Sequence, residues 1–154
     1  MKTLVTFYSR TGNTKMVGNL IAGMLKCDVD EIIDTKNRKG IWGWLTSGKA
    51  GMKKELTKIE PPKKDPSTYD LIIIGTPIQM GPTAAARTYI RENKDKFKNV
   101  AFFCTYGSSG VEKTFNDMEQ EAGKKPLSTF SITEKELKRG EGLTEKLSLF
   151  IKGF

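Results

Sequence analysis

Residues 8–14 read Tyr-Ser-Arg-Thr-Gly-Asn-Thr. Besides the tyrosine, the stretch offers three hydroxyls (Ser9, Thr11, Thr14), one amide (Asn13), one cation (Arg10) and one glycine (Gly12). It follows a short apolar run and opens an amphipathic segment, so it sits where a strand passes into a helix. At such a place the unpaired N–H groups and the helix dipole favour an anion. Gly12 lets the backbone approach closely, and Ser9, Thr11 and Thr14 can donate to phosphate oxygens. The chemistry that suits these residues is the holding of a terminal phosphate monoester. Neither the Gly-Lys-Ser/Thr of a Walker loop nor the G-x-G-x-x-G dinucleotide turn is present. By itself the stretch fits equally well an ordinary turn in which Thr11 or Thr14 only caps the helix.

Two other loops invite a different ligand group. Residues 75–82 contain Thr76, Pro77, Ile78, Gln79, Met80 and Gly81, and residues 105–110 contain Thr105, Tyr106, Gly107, Ser108 and Gly110. Both are rich in glycine and carry one large flat or polarizable side chain. A planar heterocycle needs this combination: backbone groups at its edge and a ring against its face. Tyr106 is the natural stacking group, with Met80 or a tryptophan from residues 42–44 for the opposite face. The 154 residues include no histidine, which removes Ser-His and Cys-His nucleophile pairs and makes a protein zinc or haem site improbable. Cys27 and Cys104 lie in or beside apolar runs and read as buried, reduced thiols. No catalytic residue and no metal ligand is assigned.

The elements that must position these loops follow from periodicity. Residues 3–8, 28–34, 71–75, 100–104 and 128–133 read as strands. The continuous apolar runs Leu-Ile-Ile-Ile-Gly and Val-Ala-Phe-Phe-Cys suit parallel strands covered on both faces. Met16, Val17, Leu20, Ile21, Met24 and Leu25 recur at helical spacing as one apolar face, and residues 83–93, 110–122 and 143–152 give further helices. Ser109 followed by Glu112 fits a capping box. Residues 61–66 form an extended connector within a single domain spanning 1–154. Strands alternating with helices imply an α/β fold with a doubly wound, mostly parallel sheet, and five strands favour the order 2-1-3-4-5 over the six-stranded arrangement. In either case ligands bind beyond the carboxyl ends of the strands, at the loops singled out above.

The net charge of +8 is compatible with acidic partners, while the scattered lysines and the absence of an RNA-binding or helix-turn-helix pattern argue against nucleic acid. The N-terminus has too short an apolar run for a signal peptide, and no stretch approaches the roughly 20 apolar residues of a membrane span. The expectation is a cytoplasmic monomer.

Residues 9–14, 75–82 and 105–110, with residues 38–59, resemble the flavodoxin family, of the short-chain type, over nearly the whole chain. That resemblance implies a flavodoxin-like fold, an FMN cofactor and a low-potential electron carrier between redox proteins. It implies that residues 9–14 hold the phosphate, while residues 76–81, 105–108 and Gly110, with Trp44, surround the isoalloxazine. Flavodoxins are typically acidic, so this basic chain is expected to meet ferredoxin-like or reductase partners through acidic docking surfaces. The alternative is an NAD(P)H- or quinone-dependent flavin oxidoreductase on the same fold. Two sibling readings fall away: a receiver domain lacks its acidic cluster after the first strand, and a small tyrosine phosphatase lacks its early cysteine.

Overall fold

The computed structural model describes residues 1–36 and 56–154. Trp42, Trp44 and the lysines 39, 49, 53 and 54 lie outside the described residues. Strand β1 (Thr3–Phe7) leads into helix α1 (Asn13–Leu25), which returns to β2 (Asp28–Glu31). A 3-10 turn (Pro66–Thr68) precedes β3 (Leu71–Pro77) and α2 (Ala84–Asn93). Then follow β4 (Asn99–Tyr106), α3 (Val111–Ala122), β5 (Thr129–Thr133), the short α4 (Glu134–Arg139) and α5 (Leu143–Ile151). The five strands form one parallel sheet in the order β2-β1-β3-β4-β5. The expected architecture is the observed one. β3 and β4 each run two residues further than the apolar runs indicate, to Pro77 and Tyr106.

The sheet buries both faces. On one, Val5, Phe7, Ile73 and Phe103 pack with Val17 and Ile21 of α1 and Leu147 and Phe150 of α5. On the other, Leu4, Ile72, Ile74 and Phe102 pack with Tyr89 and Ile90 of α2 and Met118 of α3. Across the strands Phe7, Gly75, Phe103 and Phe130 stand in one row. Gly75 is required there, because a Cβ at that position would run into the Phe103 ring.

Three local expectations are corrected. The face of α1 is narrower than its apolar pattern: Val17 and Ile21 are buried, but Met16, Leu20 and Met24 are 50%, 40% and 41% exposed. A helix lying on a sheet buries one stripe, here Thr14, Val17, Gly18, Ile21 and Ala22, and Gly18 is where the Phe7 ring abuts it. The capping box at Ser109 and Glu112 does not form. Gly110, at φ 99°, is the N-cap of α3, so Glu112 falls one position too early. A capping box does form at α4, where Thr133 Oγ1 accepts from the Glu136 N–H and Glu136 Oε2 accepts from the Thr133 N–H, each at 3.0 Å. The third correction concerns Cys27, which is only half-buried; both thiols are free, and burial pushes Cys27 up to about 11 and Cys104 to about 12, well away from reactive thiolates.

The Thr133 N–H, the Lys146 ammonium and the Thr133 hydroxyl, in that order, hold the Glu136 carboxyl down to about 2 from an ordinary 4.5. A depressed carboxyl contributes stability above its ordinary value and loses it as pH falls through the folded one. Urea titrations of Glu136→Gln should therefore show a lower stability at neutral pH and a shallower acid decline between pH 4.5 and 2 than the native chain. Parallel acid limbs in the two proteins would contradict it. Solvent screening keeps the effect small, since Glu136 is well exposed.

Candidate functional site

The carboxyl ends of β1, β3 and β4 open into a cavity of about 920 Å³. Its lining includes Arg10, Thr11, Asn13 and Thr14 from the first loop, Pro77 through Gly81 from the second, and Thr105 through Gly110 from the third. Thr105 ties all three together. Its hydroxyl pairs with that of Thr14 at 2.8 Å, and its carbonyl accepts from the Ile78 N–H at 2.9 Å.

The first loop is shaped by Gly12 at φ 104°, the left-handed N-cap of α1. A Cβ there would meet no other protein atom, so within the protein Gly12 is required for its left-handed backbone. Ser9 does not line the cavity. Its Oγ accepts from the N–H groups of Gly12 and Lys15, each at 3.1 Å, and thereby does the capping expected of Thr11 or Thr14. Thr14 is buried. In its pair with Thr105 one hydroxyl proton is used, and the other remains to be donated to a ligand. Arg10 places a buried Nε at this end with no partner among the described residues.

The second loop is closed from within. Thr76 Oγ1 donates to the Pro77 carbonyl at 2.8 Å, pairs with Thr83 Oγ1 at 3.0 Å and accepts from the Thr83 N–H at 3.1 Å. Its hydroxyl is thus committed to the loop, and Thr76 does not line the cavity. Met80 and Gly81 both take positive φ, 57° and 125°. The Gln79 N–H donates to the Gly81 carbonyl at 2.9 Å, and the Met80 side chain stands 59% exposed. At the third loop Gly110 is needed twice: for its φ and because a Cβ would press on Ile78 Cγ2 at 3.2 Å.

Sequence reasoning missed three lining residues, Ser109, Lys113 and Glu134. Ser109 stood inside a loop already marked. Lys113 is in the first turn of α3, one turn beyond the glycines. Glu134 begins α4 directly after β5, and the strand order itself places the end of β5 beside that of β4. Lys113 donates to Asp117 Oδ2 at 2.7 Å, and Arg87 Nη2 reaches the same oxygen at 3.1 Å. Burial raises the Asp117 carboxyl, but these two donors outweigh it and hold it below its ordinary value. No helix among the described residues is long and apolar enough to cross a membrane.

Several solved structures share this arrangement. A flavoprotein from Lactobacillus acidophilus NCFM in complex with FMN superposes with a TM-score of 0.74 at 22% identity, covering 90% of this chain and 97% of its own. The apo-form of the flavoprotein from the same organism, determined by NMR, gives 0.65 at 21%, covering 90% and 95%. Oxidised Flavodoxin 2 from Bacillus cereus gives 0.57 at 15%, covering the whole of both chains. At these identities the likeness is one of fold. A comparison with curated proteins gives no match. The family model described as Flavodoxin matches residues 2–140, nearly the full length, and the chain therefore belongs to the flavodoxin family.

Proposed function

We propose that this chain binds FMN in the cavity at the ends of β1, β3 and β4 and serves as an electron-transfer protein. The observation that carries the reading is one continuous cavity with two chemically different ends. One end is a helix N-terminus with hydroxyls, and the other is a glycine-rich wall with Tyr106 beside it. Its volume falls within the roughly 300–1,000 Å³ usual for small-molecule sites. The FMN-bound state of the Lactobacillus acidophilus relative supports the same ligand.

The residues fit the group. Thr11, Asn13 and Thr14, with the first turn of α1, receive the phosphate, and the orphaned Arg10 Nε adds positive charge. Tyr106 stacks on one face of the ring. Pro77 through Gly81 border it, with Met80–Gly81 the peptide best able to reorient, since glycine lowers the cost of a changed backbone. FMN, when bound, supplies reversible one- and two-electron chemistry, and the protein sets its potentials. The surrounding chain orients the ring, keeps water from one edge and places charge near it. The +8 balance supports redox partners with acidic docking surfaces.

The test compares FMN with riboflavin. A hydrogen bond to a charged group is worth roughly 1.5–3 kcal/mol. Thr11→Ala should then weaken FMN about tenfold or more, on the scale where ~1.4 kcal/mol is a factor of ten. Riboflavin, lacking the phosphate, should bind more weakly and lose little further in the variant. Equal losses for both would remove the phosphate from residues 9–14. With flavin bound, the electron-carrier reading requires an external reductase. Unaided turnover of NADPH with a quinone would instead favour the oxidoreductase alternative.

A further inference from the structure

Beneath the 80–81 turn lies a charged cluster that the phosphate and ring assignments leave unused. Arg87 of α2 is 1% exposed, and it donates to Asp117 Oδ2 at 3.1 Å and to Glu121 Oε1 at 3.2 Å. Lys113 shares the Asp117 oxygen at 2.7 Å, and Arg91 binds Glu121 Oε2 at 2.7 Å. Among the described residues, three cations thus face two carboxylates. A methyl group on Gly81 would lie 3.3 Å from both Arg87 Nη2 and Lys113 Nζ and 3.5 Å from Asp117 Oδ2, so the turn rests on the inner end of the cluster. Lys113 also lines the cavity, with its side chain 58% exposed.

Two consequences follow. Met80 holds a left-handed backbone that side chains rarely adopt, and such strain persists only where the surroundings enforce it. A fixed charged base behind the turn is such a surrounding. A cation in a cavity wall also favours whichever form of a bound ligand carries more negative charge. We propose that Lys113, Asp117 and Arg87 are positioning residues: they hold the 80–81 turn, and the Lys113 ammonium biases the cavity toward the reduced, more electron-rich form of its flavin. The second half rests on the FMN reading; the first does not.

The experiment uses Lys113→Met and Lys113→Arg, because Lys113 is exposed and its loss leaves the Arg87–Asp117 pair in place. Amide hydrogen exchange at Gln79, whose N–H is bonded to Gly81, is followed without flavin, with Leu127, whose N–H is bonded to Val100 at the opposite end of β4, as reference. FMN affinity is then measured in the oxidised state and under dithionite. Lys113→Met should speed exchange at Gln79 by about threefold or more while leaving Leu127 unchanged, and should lower the reduced-to-oxidised affinity ratio by about threefold, the scale of a partly exposed ion pair. Lys113→Arg should keep both near native values. Unchanged exchange at Gln79 overturns the holding role, and an unchanged affinity ratio overturns the bias. A native chain that binds neither form of FMN sinks the cofactor reading and the bias with it, while the Gln79 exchange still decides the turn.

Discussion

Gly75→Ala should lower the stability of the fold by about 3 kcal/mol, at the upper end for overpacking a close-fitted core. For a chain of this size that is a fall of roughly 6–12 °C in Tm. The reason is local and specific. Gly75 pairs with Phe103 across the sheet, and the aromatic ring occupies the space a Cβ would need. Phe103 is fully buried between the sheet and its helices, so the ring has nowhere to turn. The loss should be coupled to that ring. In a double-mutant cycle, Phe103→Leu should be nearly as costly alone as together with Gly75→Ala, because the smaller side chain makes room. Strictly additive losses would show that the ring is not the obstacle. The pair also stands two residues below Pro77 and Thr105, which border the cavity. Any shift of β3 against β4 is therefore passed to the site, and Gly75→Ala should weaken FMN as well as the fold.

Arg87→Met should be of similar severity, about 3 kcal/mol, at the lower limit for removing one partner of a buried ion pair. The lower limit applies because Asp117 keeps Lys113 and Glu121 keeps Arg91 as partners. The cost is that of two largely buried carboxylates each losing a cation, so neutralising them should recover part of it. Arg87→Met combined with Asp117→Asn and Glu121→Gln should be more stable than Arg87→Met alone. A triple variant less stable than the single one would place the value of Arg87 in its packing instead. The pH response has a definite sign. Burial raises both carboxyls, but Lys113 and Arg87 at Asp117, and Arg91 and Arg87 at Glu121, hold them below their ordinary values. Their contribution is present above the ordinary carboxylate range and is lost as pH falls through the depressed values. Arg87→Met should decline less steeply on acidification than the native protein, which denaturant titrations at successive pH values would show.

The parallel sheet was legible because its central strands are long apolar runs, and a strand buried on both faces leaves little choice of residue. The two-residue extensions to Pro77 and Tyr106 were not, since polar Thr76 and Thr105 end the apolar signal while the backbone ladder continues beneath it. The three loops were legible from glycine and hydroxyl content combined with the strand order. The division of labour within them was not. Ser9 and Thr76 carry hydroxyls of the same chemical kind as Thr11 and Thr14, yet in the fold their oxygens bind backbone groups.

The sequence by itself determined the five-stranded α/β order, the end of the sheet at which the cavity opens and the lack of any histidine in it, because these depend on periodicity and composition. Only the tertiary structure decided which hydroxyls line the cavity, why Gly75 has no side chain and where Arg87, Lys113 and Asp117 meet. Arg87 and Asp117 are thirty residues apart and come from different helices. No local pattern announces such a meeting, since the pair forms only once α2 and α3 pack side by side against the same face of the sheet.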